Sequence, residues 1–151
     1  MSGRWRPSAT VAAVIERDGK FLFVEEIQGD RRVLNQPAGH LDPGETLLQA
    51  VAREVLEETA HRFEPTALVG IYRCQYDPEE VTFLRFCFAG RVAGVQEGRA
   101  LDKEIVALRW LTPAELRAQR AMHRSPLVQQ CLDDYLSGRQ FSLAVLSESH
   151  A

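Results

Sequence analysis

No apolar run in this 151-residue sequence approaches the ~20 residues that span a bilayer, and the basic start MSGRWRPSAT lacks the apolar core of a secretory leader. Cysteine is scarce. Cys74, Cys87 and Cys131 are an odd number with no C-x-x-C pair, which argues against a disulfide framework or a zinc knuckle and for small hydrophobes in a reducing compartment. Lysine is scarcer, present only at Lys20 and Lys103, and the 18 basic side chains are outnumbered by 21 acidic ones. A net charge of −3 offers no broad basic face, so nucleic acid is not an expected partner. There is no internal repeat, no heptad and no linker. What remains is 45% hydrophobic and 26% charged, ordinary for a globular chain that buries a core without cross-links. The expectation is one cytoplasmic domain over 1–151, with 1–8 a loose lead-in, as a monomer or homodimer without membrane contact.

Two apolar runs flank Asp18-Gly19, the pair favoured in two-residue hairpin turns, and predict strands near 10–16 and 20–27. Residues 33–38 (VLNQPA) read as a short extended segment that Pro37 places at an edge or a strand end. The period then changes. Leu48, Val51, Val55 and Thr59 recur at helical spacing, and Thr46 with Gln49 three residues on forms a capping box. A helix over 46–60 follows, with 40–45 a structured loop. Strands are predicted at 67–74, 81–88 and 105–111, the first two separated by the turn-rich QYDPEE. A short helix begins after Thr112-Pro113 and runs to about 120, and a final one runs from Ser125-Pro126 to Leu136, stopped by Gly138. The tail, with Phe141, Leu143 and Leu146, is expected to dock. Strands, a helix, more strands and then helices make a mixed α/β domain of two or three layers.

Helix 46–60 carries a feature that core packing does not explain. Glu54, Glu57 and Glu58 stand at i, i+3 and i+4, so three carboxylates share one side of the helix and destabilise it by a few tenths of a kcal/mol per pair. A divalent cation reverses that sign. Mg²⁺ favours a few carboxylates and takes its remaining ligands from water and substrate phosphates. The wider spacing removes accident: Gly39, Glu45, Arg53, Glu54, aliphatic Val55, Glu57 and Glu58 fit G-x5-E-x7-R-E-U-x-E-E, where U is aliphatic. At roughly one chance in 15 per fixed letter, six letters coincide at ~10⁻⁵ over the whole chain.

This pattern is the Nudix box, and the chain resembles the Nudix hydrolases, enzymes that cleave a nucleoside diphosphate linked to another group. The resemblance implies an α/β fold in which a mixed sheet is sandwiched between helices and the box forms a loop–helix–loop over 39–61. It implies that Glu54, Glu57 and Glu58 hold Mg²⁺ or Mn²⁺, that the Gly39 carbonyl adds a ligand, and that Arg53 and Glu45 pair to pin the loop to the helix. The box departs from the family at its end, where Thr59-Ala60-His61 replaces x-Gly-aliphatic. Alanine in the left-handed turn that glycine suits costs about 1 kcal/mol, so an altered helix exit is expected.

The flanks LNQPAGHLDPGETL, FLRF and RSPLV are similar to the bacterial NudJ-type phosphatases, from Thr10 to about Leu143. That implies a nucleoside tri- and diphosphatase releasing orthophosphate, acting also on hydroxymethylpyrimidine diphosphate and on thiamine diphosphate. The branch usually carries an aromatic where Leu34 stands. The expected chemistry is metal-assisted attack of water on phosphorus, with Glu54 or Glu57 as base and positioning and charge neutralisation supplying most of the acceleration. Glu104 is a candidate further ligand or base. Arg85 and Arg124 are candidates to grip phosphate, and Asn35 and Gln36 to read a base edge. His40 is a candidate lining residue, and Tyr72, Tyr76 and Phe83 are candidate stacking residues. Two alternatives stand: a Nudix pyrophosphatase for ADP-ribose, dinucleoside polyphosphates or oxidised purine nucleotides, and a silent nucleotide-binding module.

Overall fold

The computed structural model describes residues 3–76 and 81–149. Asp18 and Gly19 both take positive φ, 51° and 78°, as a two-residue turn matched to strand twist requires, and they join β1 (Ser8–Arg17) to β2 (Lys20–Gln28). The two strands pair only beside the turn, at Glu16↔Phe21 and Arg17↔Lys20. Beyond it they part. β2 continues between β3 (Arg31–Asn35) and β7 (Ile105–Leu111), while β1 continues between β4 (Ala38–His40) and a parallel β6 (Val81–Val95). β5 (His61–Tyr76) lies antiparallel to β6 at the far side. The result is a seven-stranded mixed sheet of order β3-β2-β1-β6-β5, with β4 on β1 and β7 on β2. Pro37 sits between β3 and β4, where its missing N–H breaks no ladder.

Strand β1 explains the layering. Val11, Ala13 and Ile15 pack with Ala50, Val51 and Val55 of α1 (Leu47–Thr59), while Ala12 and Val14 pack with Leu127, Val128, Cys131 and Leu132 of α3 (Pro126–Leu136). Successive residues thus face opposite layers, as the pleat demands. The strand is buried on both faces, and each fully buried aliphatic side chain contributes about 1.5–3 kcal/mol. The expected sandwich of helices around a mixed sheet is the observed one. The short α2 (Pro113–Ala118) adds Leu116 to the α3 side.

Helix α1 begins at the predicted cap: Thr46 Oγ1 accepts from the Gln49 N–H and Gln49 Oε1 accepts from the Thr46 N–H. Its exit is not altered, contrary to expectation. Ala60 takes the left-handed conformation itself, at φ 58°, and its N–H donates to the Leu56 carbonyl. The chain then enters β5 at once, six residues before the predicted start. Pro65 and register shifts at Arg62/Phe63, Pro65/Ala67 and Leu68/Gly70 break the alternation that would have revealed it. Glycines at 90 and 94 hide the extension of β6 in the same way. The tail docks as expected: Phe141 and Leu68 exchange backbone hydrogen bonds of 2.7 and 2.8 Å, and Leu143 and Leu146 reach the α1-side core. Residues 77–80, the Tyr76 side chain and His150 lie outside the described residues. Among the described residues no helix is long and apolar enough to cross a membrane.

Candidate active site

The parting of β1 and β2 opens the sheet at one end, and the opening is a cavity of about 330 Å³. Its walls come from both sides of the split: Glu26 and Asn35 from β2 and β3, Thr10, Gly39, Phe83 and Arg85 from β1, β4 and β6. Helix α1 closes one end with Glu54 and Glu58, and the start of α3 contributes Arg124 and Ser125. Glu104 and His40 complete the rim, as two of the sequence candidates.

One guanidinium organises the acidic end. Arg53 Nε and Nη2 donate to both oxygens of Glu45, at 2.6 and 3.0 Å, the bidentate fork that a planar guanidinium favours. Nη2 also donates to the His40 carbonyl at 2.9 Å, and Nη1 to Glu54 at 2.9 Å and Glu57 at 3.1 Å. Loop 40–46 is thereby tied to the helix that carries the carboxylates. The Arg53 hydrogen bonds hold the Glu45 carboxyl below its ordinary range, and the Asp42 N–H adds to the effect. Gly39 leaves room for the Glu54 carboxylate, which a Cβ there would displace.

Glu54 and Glu57 gather with Asp102, one carboxylate oxygen from each lying within 4.8 Å of the others, an arrangement that suits a hard divalent ion. Asp102 was missed in the sequence. It lies in the loop before β7, about 40 positions beyond the helix in a stretch with no periodicity, and is brought in when its N–H donates to the Glu57 carbonyl. The sequence favoured its neighbour Glu104, which lines the cavity but stays outside that cluster. Glu58 also stands outside the cluster, because its Oε1 accepts from the Ala38 N–H at 2.9 Å. Burial raises Glu58 to about 9, with Glu26, Glu54 and Asp102 adding to the rise. Glu54 is raised to about 7, again chiefly by burial and against the pull of Arg53. Carboxyls this reluctant to ionise mark a place where negative charge is crowded and a cation would relieve it.

The cavity lining also carries two cations, Arg85 and Arg124. Arg85 is buried on β6, and Nη2 donates to Asn35 Oδ1 and Nη1 to Gln36 Oε1, each at 3.0 Å, with Cys131 Sγ at 3.7 Å. Among the described residues it makes no ion pair, so a buried positive charge faces the cavity held only by neutral groups. Gln36 corrects an expectation. It is 1% exposed, does not line the cavity, and its amide nitrogen donates to the Val128 carbonyl at 2.7 Å. Its amide is thus consumed in aiming Arg85. Arg124 Nη1 pairs with Glu26 at 2.8 Å, a buried acid that the sequence reading passed over although two adjacent glutamates inside an apolar strand were a visible anomaly. Tyr72 is core, with its hydroxyl donating to Asp134, whereas Phe83 lines the cavity beside the His40 ring. Leu34 is fully buried among core side chains and does not line this cavity.

A Nudix domain model matches residues 4–131. The chain belongs to the Nudix family. A Nudix hydrolase from Nitrosomonas europaea of known structure superposes with a TM-score of 0.93 at 50% identity, over 95% of this chain and 98% of that one. The phosphatase NudJ of Escherichia coli K12 is 36% identical over 95% of this chain and 93% of its own length. A UDP-X diphosphatase shares the fold, at a TM-score of 0.74 and 19% identity, over 93% of this chain and 68% of that one. The chain is therefore a Nudix hydrolase, and the family generally uses divalent metals.

Proposed function

We propose that this Nudix hydrolase cleaves phosphoanhydride bonds of nucleoside tri- and diphosphates, and of hydroxymethylpyrimidine diphosphate, with release of orthophosphate and dependence on Mg²⁺ or Mn²⁺. The observation that carries the reading is that Glu54, which lines the cavity together with the buried Arg85, clusters with Glu57 and Asp102. An all-oxygen set of crowded carboxylates fits a hard divalent cation, with Glu54 and Glu57 as ligands, Asp102 as a third, Glu58 in reserve and the Gly39 carbonyl at the same end. When bound, such a cation neutralises phosphate charge and makes a water more acidic.

The chain's own residues supply the rest. Arg53 fixes Glu54 and Glu57 through one nitrogen and Glu45 through two others, so the carboxylates are positioned before substrate arrives. Arg85 offers a fixed cation to a substrate phosphate, and Arg124 lines the same cavity. Glu54 or Glu57 takes the proton of the attacking water, since these two lie in the cluster and within reach of one another. The similarity to NudJ, named a phosphatase, supports orthophosphate as the product.

That test is product analysis on GTP, GDP and hydroxymethylpyrimidine diphosphate with Mg²⁺, with and without inorganic pyrophosphatase, and Glu57→Gln as the blank. Orthophosphate from all three without the coupling enzyme is expected. From GTP, orthophosphate appearing only with the coupling enzyme places cleavage between the α- and β-phosphates and overturns the reading.

A further inference from the structure

Asn35 ends β3 and lies in the wall of the cavity with Arg85. Its side-chain amide has two unlike ends, and one is already used: Oδ1 accepts from Arg85 Nη2 at 3.0 Å. That contact fixes the orientation, because a flipped amide would set its N–H groups against a guanidinium, which only donates. Nδ2 is thereby left as a donor, and it has no partner among the described residues. Nor is it sealed off. Among the described residues the single buried side-chain nitrogen or oxygen without a hydrogen bond is Gln129 Oε1, so Nδ2 keeps accessible surface. The same holds for Arg85 Nε. Nη1 is engaged by Gln36 Oε1 and Cys131 Sγ, and Nη2 by Asn35, while Nε makes no hydrogen bond among the described residues and is likewise not enclosed. Unused donors on two neighbouring side chains, one of them cationic, thus belong to the lining of one cavity.

We infer that Asn35 is a phosphate-binding residue, whose Nδ2 donates to an oxygen of the same substrate phosphate that Arg85 meets with Nε. The inference rests on the function proposed above and deepens it by assigning the contact. An amide suits this place where an acid does not. A carboxylate at position 35 would pair with Arg85 and repel a phosphate, whereas the amide orients the guanidinium with its oxygen and leaves both the positive charge and a further donor for the anion. Gln36 works in the same sense, with Oε1 on Arg85 Nη1 and Nε2 on the Val128 carbonyl, so the cation is held from two sides without being neutralised. A buried cation with only neutral partners carries a desolvation cost that an anion offsets. A neutral ring on Nδ2 would leave the charge of Arg85 unanswered, so a phosphate is the better occupant.

Binding without turnover tests this apart from catalysis. Dissociation constants for the α,β-methylene diphosphates of guanosine and uridine are measured by calorimetry with Mg²⁺, alongside melting temperatures. Asn35→Asp is expected to bind both analogues about 100-fold more weakly, because the new carboxylate pairs with Arg85 and faces the phosphate. Its melting temperature holds or rises, since the buried cation gains a counter-charge. Asn35→Ser removes the amide without adding charge, and about a tenfold weakening of both analogues is expected. Either variant decides the matter if the other does not fold. Binding within about twofold of the parent overturns the inference, as does failure of the parent to bind either analogue. Weakening confined to one base assigns Asn35 to the ring and overturns it too. A melting temperature that falls in Asn35→Asp together with binding assigns Asn35 a structural role, with the same consequence. Absence of GDP hydrolysis by the parent, with the expected binding pattern intact, would fail the catalytic reading alone.

Discussion

Arg53 holds Asp42, Glu45, Glu54, Glu57 and the His40 carbonyl with one planar group. Lysine keeps the charge but not the fork. Arg53→Lys is therefore expected to lower kcat about 100-fold while the folded protein survives, read by phosphate release and thermal melting together. Gly39→Ala acts on the same end from β4: the added methyl displaces the Glu54 carboxylate, and activity falls by a similar factor with loss of metal affinity. If either variant keeps full kcat, the positions of Glu54 and Glu57 do not matter to the chemistry. At this scale the sequence was informative where spacing fixes neighbourhood. Glu54, Glu57 and Glu58 share one helix face by arithmetic, and the Arg53–Glu45 pair came with the motif. Asp102, Glu26 and the aiming of Arg85 by Gln36 depend on which loop or strand folds against which. No local pattern encodes that, so Gln36 was read as a contact residue and Glu104 was preferred to Asp102.

Element by element, the legible parts were those that local chemistry decides: the Asp18-Gly19 turn, the Thr46/Gln49 box, the start of α2 at Thr112-Pro113, and the β7 limits. The parts that were not legible are bulged. β5 begins six residues early because Pro65 and three register shifts interrupt its alternation while pairing with β6 carries it through. The exit of α1 is the informative case. Ala60 sits at φ 58° because the chain must turn directly into β5, and tertiary pairing outweighs the local cost. Ala60→Gly is expected to relieve about 1 kcal/mol and raise the melting temperature by about 2–4 °C with kcat unchanged. A lowered melting temperature would mean that the left-handed turn carries no strain here.

Across the whole molecule, the split sheet brings buried acids from α1 and β2 to one cavity mouth, and their protonation is linked to stability. Glu54 and Glu58 have folded values raised to about 7 and about 9 from 4.5, so the metal-free folded state holds protons that the unfolded chain has released. Stability from these groups is present below pH 4.5 and is lost as pH rises toward those folded values. In EDTA the melting temperature is expected to fall by roughly 5 °C or more between pH 5 and 9. Saturating Mg²⁺ should flatten that fall by occupying the ionised site, and Glu58→Gln should make it shallower without metal. The same slope with and without Mg²⁺ would place the cation elsewhere. The account as a whole turns on whether the Glu54–Glu57–Asp102 cluster drives hydrolysis through a divalent ion. The most direct measurement is orthophosphate release from GDP as a function of Mg²⁺ concentration, for the parent protein and Glu57→Gln. The account predicts saturable, EDTA-abolished release by the parent and at least about a 100-fold loss in Glu57→Gln. Release that persists in EDTA, or that is undiminished in Glu57→Gln, would contradict it.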